Sequence, residues 1–581
     1  MATPLEDDDY YDLGTYHRAV STSGPEAQKW FDRGLIWSYG FNHEEAAQCF
    51  RKASSHDGEC AMAYWGLAYC LGPNYNKPWE FFDESDLRTT VEQTHGAVER
   101  ARQSAHKATP VEQALIDALG SRYPAEPGAK DWSVWNESYA EAMRGVYERF
   151  PDDLDVATLY ADALMNLTPW KLWDIRIGQP APGARTLEIQ AVLDRALSPR
   201  GDDHPGLRHP GLLHLYIHLM EMSPHPERAL PAADHLRDLV PDAGHLRHMP
   251  SHLDVLCGDY RAAVAANGAA AAADERFAAR AGAMNFYTLY RAHDLHFRAY
   301  AALFAGQSRV ALAAAAALER AVPEALLRVP SPPMADWLEG FVAVRAHALV
   351  RFGRWAEILE LPAPADPALY CVTAATRHYA RGIALASLRR VPEAEAERGL
   401  FRAAAARVPR SRTVFNNTCA DVLGVAGAML DGEVLYRRGE HGAAFAALRR
   451  AVGLDDGLPY DEPWGWMQPV RHALGALLLE QGEVGEAAEV YAADLGLDGG
   501  TLPRAMQHPG NVWALHGYHE CLERLGRQAE ARIVAAQLKL AAAVADVEVK
   551  SSCFCRLDCE GDGGSAGSAA ECCTKGGPGK I

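Results

Sequence analysis

Two histidine pairs, His214/His218 and His248/His252, recur in this chain 34 residues apart. Residues four apart on a helix share a face, so each pair presents two imidazoles on one side. A period of 34 is that of a helical hairpin repeated in tandem. Stacked hairpins present equivalent positions to a common surface, which places both pairs together. The surrounding motifs are HLYIHLMEM from His214, GHLRHMPSH from Gly244 and HDLH from His293, and between them they hold seven histidines.

Composition supports an array of helices. At 581 residues the chain exceeds one compact core. Alanine-rich runs such as Ala262 to Ala273 and Ala311 to Ala317 favour helix, and few alternating Val/Ile/Thr segments read as strands. The expected fold is all-α, a solenoid of helical hairpins. With 57 Lys+Arg against 76 Asp+Glu, the net charge of −19 argues against nucleic acid or an anionic membrane as partner. The opening MATPLEDDDYYDL lacks the features of a signal peptide, and no apolar run approaches membrane-spanning length. A soluble cytoplasmic protein is the expectation. Seven of the 12 cysteines are scattered singly from Cys49 to Cys521, as reduced thiols would be. The other five crowd the C-terminal end.

The first clear repeat runs from Trp30 to Gly58, with Trp30, Gly34 and Trp37 on one helix and Ala46, Phe50 and Ala53 on the next. The stretch WFDRGLIWSYGFNHEEAAQCF, followed by CAMAYWGLAYCLGPNYN, resembles a family of tetratricopeptide-domain proteins found in fungi and bacteria. The resemblance implies a tetratricopeptide-type α-solenoid and carries no activity with it. It also implies that positions 2, 5, 9 and 12 of each first helix line a concave groove. Setting Pro241 at position 32 puts His214 at 5, His218 at 9 and Glu221 at 12. The next unit has His245 at 2, His248 at 5 and His252 at 9, and the one after has His293 at 2 and His296 at 5. All seven histidines are therefore expected in one groove.

Four regions follow: an N-terminal segment (1–26), a solenoid with the histidine groove (27–328), a second solenoid after the joint VPSPPMADW (329–546), and a disordered cysteine-containing tail (547–581). An insertion from Pro169 to Arg185 reads as a lid or a long loop. His204 and His209 open two HPGL units that read as a loop duplication. In the second solenoid His472 and His516 also fall at position 5, and the loop PYDEPWGWMQP, with Asp461, Glu462, Trp464 and Trp466, either caps the groove or packs between repeats. The tail cysteines Cys553, Cys555, Cys559, Cys572 and Cys573 are incidental to an unstructured tail or take up a soft metal ion.

Neutral imidazoles with a carboxylate suit transition metals, so His214, His218, Glu221, His245, His248, His252, His293 and His296 are the candidate ligands. Histidine without cysteine leans towards iron or copper over zinc or manganese. H-E-x-x-H is absent, which removes the zinc-protease reading. Pro250 leaves two geometries open, a kinked helix through Met249 or a helix beginning there with His245 and His248 in a loop. In NFYTLYRAHDLHF, Tyr287, Tyr290 and Arg291 are candidate catalytic residues, with Asn285 beside them. The leading expectation is a metal-dependent enzyme, oxidoreductase-like, acting on a small polar molecule. The alternative is an adaptor that binds a peptide or partner protein in its groove.

Overall fold

A computed structural model describes residues 10–123, 131–198 and 204–557. These residues form an α-solenoid of tetratricopeptide-like hairpins. Pro25–Tyr39 pairs with His43–His56, Thr288–Phe304 with Ser308–Ala321, Cys371–Ser387 with Val391–Ala405, and Cys419–Arg437 with His441–Asp456. Val470–Gln481 with Val484–Leu495, and Val512–Arg524 with Gln528–Ala542, end the series. Strand structure among the described residues is confined to two short hairpins, Trp173–Asp174 with Gln179–Pro180 and Thr413–Val414 with Asn417–Thr418. No helix among the described residues is long and apolar enough to cross a membrane.

Small residues on one helix and a large ring on the next explain the stacking. Phe50 is fully buried between the first helices of two successive hairpins. A methyl group added at Gly34 or Gly66 would lie 2.8 or 2.3 Å from its ring. Tyr491 is gripped in the same way by Gly475 and Gly517, at 2.4 and 2.3 Å. Any side chain at these glycines would have to push the hairpins apart.

The array curls until its second half meets its first. Trp513 donates to the carbonyl of Leu303 at 2.6 Å, Asp546 accepts from the backbone of Ser308 at 2.7 Å, and Arg176 reaches the carbonyl of Asp456 at 3.0 Å. The N-terminal segment adds a strap. Tyr11 packs on Trp37 and Phe277, and Tyr16 and Arg18 bind Asp155. The groove of the first half is thereby covered, and the eight expected ligands are all buried.

The chain also stays packed past Val547. Ser552 and Cys555 are buried in the second solenoid, so order runs through Leu557, ten residues beyond the end of the helical periodicity. Side-chain and backbone hydrogen bonds to the groove, which carry no periodicity, hold this stretch. Cys559, Cys572 and Cys573 lie outside the described residues.

Candidate metal centre

Three consecutive groove helices bring the histidines together. Pro210–Glu221 carries His214, His218 and Glu221, Gly244–His248 runs into Pro250–Cys257 with the middle three, and Thr288–Phe304 carries His293 and His296. His209 is the N-cap of the first of these: its Nδ1 accepts from the Leu212 amide at 3.2 Å and its Nε2 meets Asp155 at 3.2 Å. His204 caps the preceding turn. The HPGL duplication is thus a pair of capping turns. At Pro250 the helical path continues, because Met249 adopts φ −49°, ψ −40° and its amide still bonds to the His245 carbonyl. The loop alternative for His245 and His248 does not hold.

Six rings divide into two sets. His214, His218 and His245 each bring a donor atom within 4.8 Å of the others, and so do His248, His252 and His293. His218, Glu221, His252 and Glu462 form a linking set, and His245, His248 and Asp294 form another. In the first set, the Nδ1–H of His214 donates to the Tyr39 carbonyl at 2.6 Å and that of His218 to Glu221 at 2.7 Å. Both Nε2 atoms are then buried with no hydrogen-bond partner, as are both nitrogens of His245. In the second set, His248 Nδ1 bonds to Asn267 at 2.6 Å and His252 Nδ1 to the other oxygen of Glu221 at 2.5 Å. Their Nε2 atoms face each other at 2.6 Å, and His293 Nδ1 is unpartnered. A neutral imidazole has a single N–H. Where both Nδ1 atoms carry the proton, two lone pairs meet at one spot, an arrangement that a shared proton or a cation relieves.

The electrostatics agree. Burial pushes His214 down to about 4 and His248 to about 3, and holds His218, His245, His252 and His293 well below the usual histidine range. All six are neutral, the form that binds metal. Burial also pushes the carboxyls up: Glu462 to about 7, Glu221 well above its ordinary value with Glu462 adding to the rise, and Asp294 likewise with Asp274 adding. Among the described residues the ion-pair partners of Glu221 and Glu462 are histidines. The cluster is short of positive charge.

Strained aromatics wall it in. Among the described residues, four non-glycine residues have left-handed backbone, and three of them touch the cluster: Phe41 (φ 57°), Trp170 (φ 63°) and Phe415 (φ 45°). Their rings lie 4.5 Å from His214, 6.3 Å from His218 and 4.8 Å from His293. Such a conformation costs a bulky residue about 1–2 kcal/mol, and strain of this kind collects at functional sites. Trp170 comes from the insertion at 169–185, which is therefore a cover, and Phe415 from the turn of the second strand hairpin. A cavity of about 30 Å³, lined by Trp170, His245, Tyr290, His293, Phe415 and Glu462, reaches both sets. Tyr290 also lines a larger vestibule of about 450 Å³ with Phe41, Arg51, Lys77 and Phe286.

Some expected residues sit elsewhere. His296 belongs to none of the sets; it packs on Phe341 at 5.1 Å and shares a separate cavity with His347 and Trp466. Three residues along a helix fall about 60° short of a full turn, and that offset turns His296 towards the neighbouring hairpin. The hydroxyl of Tyr287 donates to Asp274 at 3.1 Å and accepts from the His245 amide at 3.3 Å, so it fixes the backbone of a candidate ligand. Tyr290 is 4.9 Å from the His245 ring. Arg291 pairs with surface Glu275, and Asn285 bonds within its own turn. Sequence reasoning left out Glu462, Asp294 and Asn267 as site residues. Asp294 stands inside HDLH, and Glu462 stands in the Trp- and Pro-rich loop, which caps the groove.

No protein-family model and no curated protein matches this chain. Among solved structures, the chain is similar to the crystal structure of the APC/C hetero-tetramer Cut9–Hcn1, at 13% identity over 83% of this chain and 75% of that one, with a TM-score of 0.30. It is also similar to the structure of Naa15/Naa10 bound to HypK-THB, at 12% identity over 89% and 70%, with a TM-score of 0.20. Overlaps this loose carry no functional weight, and the fold rests on the hairpins described above.

Proposed function

We propose that the chain is a metal-dependent oxidoreductase of the tetratricopeptide-domain family of fungi and bacteria, holding two transition-metal ions, iron or copper, on two neighbouring tri-histidine sets. One observation carries this reading: five ring nitrogens, His214 Nε2, His218 Nε2, both of His245 and His293 Nδ1, are buried and unpartnered on four histidines whose sets each bring donor atoms within 4.8 Å. Left bare, each costs about 1–3 kcal/mol, and together they rival the usual net stability of about 5–15 kcal/mol. Ligation removes that cost. The partner of each remaining nitrogen, Tyr39 for His214, Glu221 for His218 and His252, and Asn267 for His248, is of the kind that orients metal-bound histidine.

Iron or copper, held by these histidines, would supply one-electron chemistry and oxygen activation. The chain's own residues do the rest. Glu221 holds one histidine of each set, Phe41, Trp170 and Phe415 keep bulk water out, and Tyr290 lines both the vestibule and the small cavity at the cluster. The cavity of about 30 Å³ at the cluster limits a substrate to a small molecule. X-ray absorption on protein loaded without reductant tests the reading: a shell of light atoms with imidazole scattering and a metal–metal feature is expected, and a sulfur-rich shell overturns it. A second reading, a peptide-binding adaptor, draws on the second solenoid, which holds a non-helical stretch of chain by its backbone.

A further inference from the structure

The groove of the second solenoid is occupied by the chain's own residues 551–557. They cross helices Val344–Arg351, Cys419–Arg437, Val470–Gln481 and Val512–Arg524. Arg351 donates to the carbonyl of Ser552, Arg437 to that of Cys555, and Glu480 accepts from the Leu557 amide at 3.0 Å. Ser552 Oγ meets the Tyr491 hydroxyl at 2.6 Å and donates to the His472 carbonyl at 2.7 Å, while Arg556 pairs with Glu520 at 2.7 Å. Phe554 fills the space that Gly353 leaves, where a methyl group would lie 2.9 Å from it. Four helices, the Tyr491 hydroxyl and the turn at Gly353 thus fix seven residues whose soft donor atoms are two sulfurs.

Those sulfurs, of Cys553 and Cys555, are bonded to each other, and each lies within 4.8 Å of a carboxylate oxygen of Glu433. Cys555 and Glu433 are buried and Cys553 is partly exposed. Glu433 is a buried acid facing two soft donors, a combination that packing alone does not call for. We propose that Cys553, Cys555 and Glu433 form a redox-gated site for a thiophilic ion, monovalent copper above all. Opening the site takes two electrons and two protons from an external dithiol, which attacks the accessible Cys553 sulfur and leaves as a disulfide. The two freed thiols then lose their protons to water as the ion binds, and the thiolates select a soft metal. The site stands apart from the histidine centre and does not depend on it.

The test uses the full chain, reduced with dithiothreitol, desalted without oxygen and titrated with Cu(I) as its bicinchoninate complex. Reduced protein should take up about one equivalent more than oxidised protein, with ultraviolet thiolate-to-copper absorption. Cys553→Ser and Cys555→Ser should each lose that equivalent, and a Cys559→Ser, Cys572→Ser, Cys573→Ser triple variant should keep it. Glu433→Gln leaves the backbone contacts of 551–557 in place, so it decides the matter even if a serine variant loosens the segment; binding about tenfold weaker is expected. Unchanged affinity in Glu433→Gln, undiminished uptake in Cys553→Ser, or loss in the triple variant overturns the proposal.

Discussion

The two solenoids place histidine at the same repeat position and give it opposite surroundings. His472, at position 5 like His214 and His248, has Arg351 donating to its Nδ1 at 3.0 Å and Asp494 accepting from its Nε2 at 2.9 Å. Both nitrogens are spent. Asp494 also takes His508 and Asn511, which closes the network. In the first solenoid one carboxylate, Glu221, plays the part of Asp494 by holding two histidines, yet their other nitrogens face inward on nothing but more imidazole. A groove histidine therefore signals a ligand site only when its neighbours decline to bond with it. Repeat position alone does not.

Paired substitutions sharpen that contrast. His218→Ala should weaken metal binding by more than about 100-fold, whereas His472→Ala should destabilise by about 1–3 kcal/mol with metal binding unchanged. Metal assay and urea unfolding of the two variants side by side decide it. Glu221→Gln should weaken metal binding by about 10–100-fold, as loss of an orienting partner does, and Asp494→Asn should leave binding alone. Competition with a chelator reads both.

His347, buried beside His296 and outside all the sets, offers a control for burial without three converging donors. His347 has an unpartnered Nδ1, and burial pushes it down to about 4. The unfolded chain takes up that proton near pH 6.5, before the folded one does, so this stability is complete above 6.5 and is lost as pH falls towards 4. His347→Leu should flatten the slope by about 1.4 kcal/mol per pH unit within that window and leave metal content alone. Unfolding midpoints at pH 5 and pH 7.5 measure it. The left-handed residues give the smallest effect. Arg389→Gly, away from the cluster at φ 59°, should stabilise by about 1 kcal/mol. Phe415→Gly relieves similar strain but uncovers His293, so a bound ion should exchange with a chelator faster; unchanged exchange in Phe415→Gly contradicts its role as a wall.

How much of this was legible depended on whether the information was local. The hairpins announce themselves through Gly34, Phe50 and their equivalents, because close approach of two helices demands small residues at fixed spacing. The 34-residue phase likewise put His214, His218, His248 and His252 on one surface. Glu462 was not assignable, since it arrives from the other solenoid only after the array curls. Nor was the difference between His248 and His472, because hydrogen-bond partners come from other helices. His296 misled for a simpler reason: repeat registers treat a groove as one face, and a helix spreads positions 2 and 5 over an arc.

Metal content tests the central claim most directly, on protein purified without an affinity tag or chelator. Wild type and His472→Ala should each carry about two equivalents of iron or copper, and a His248→Ala, His252→Ala double variant should lose them with helicity unchanged. Metal below about a tenth of an equivalent in wild type, even after anaerobic reconstitution with each ion in turn, would contradict the account and leave the histidines as packing.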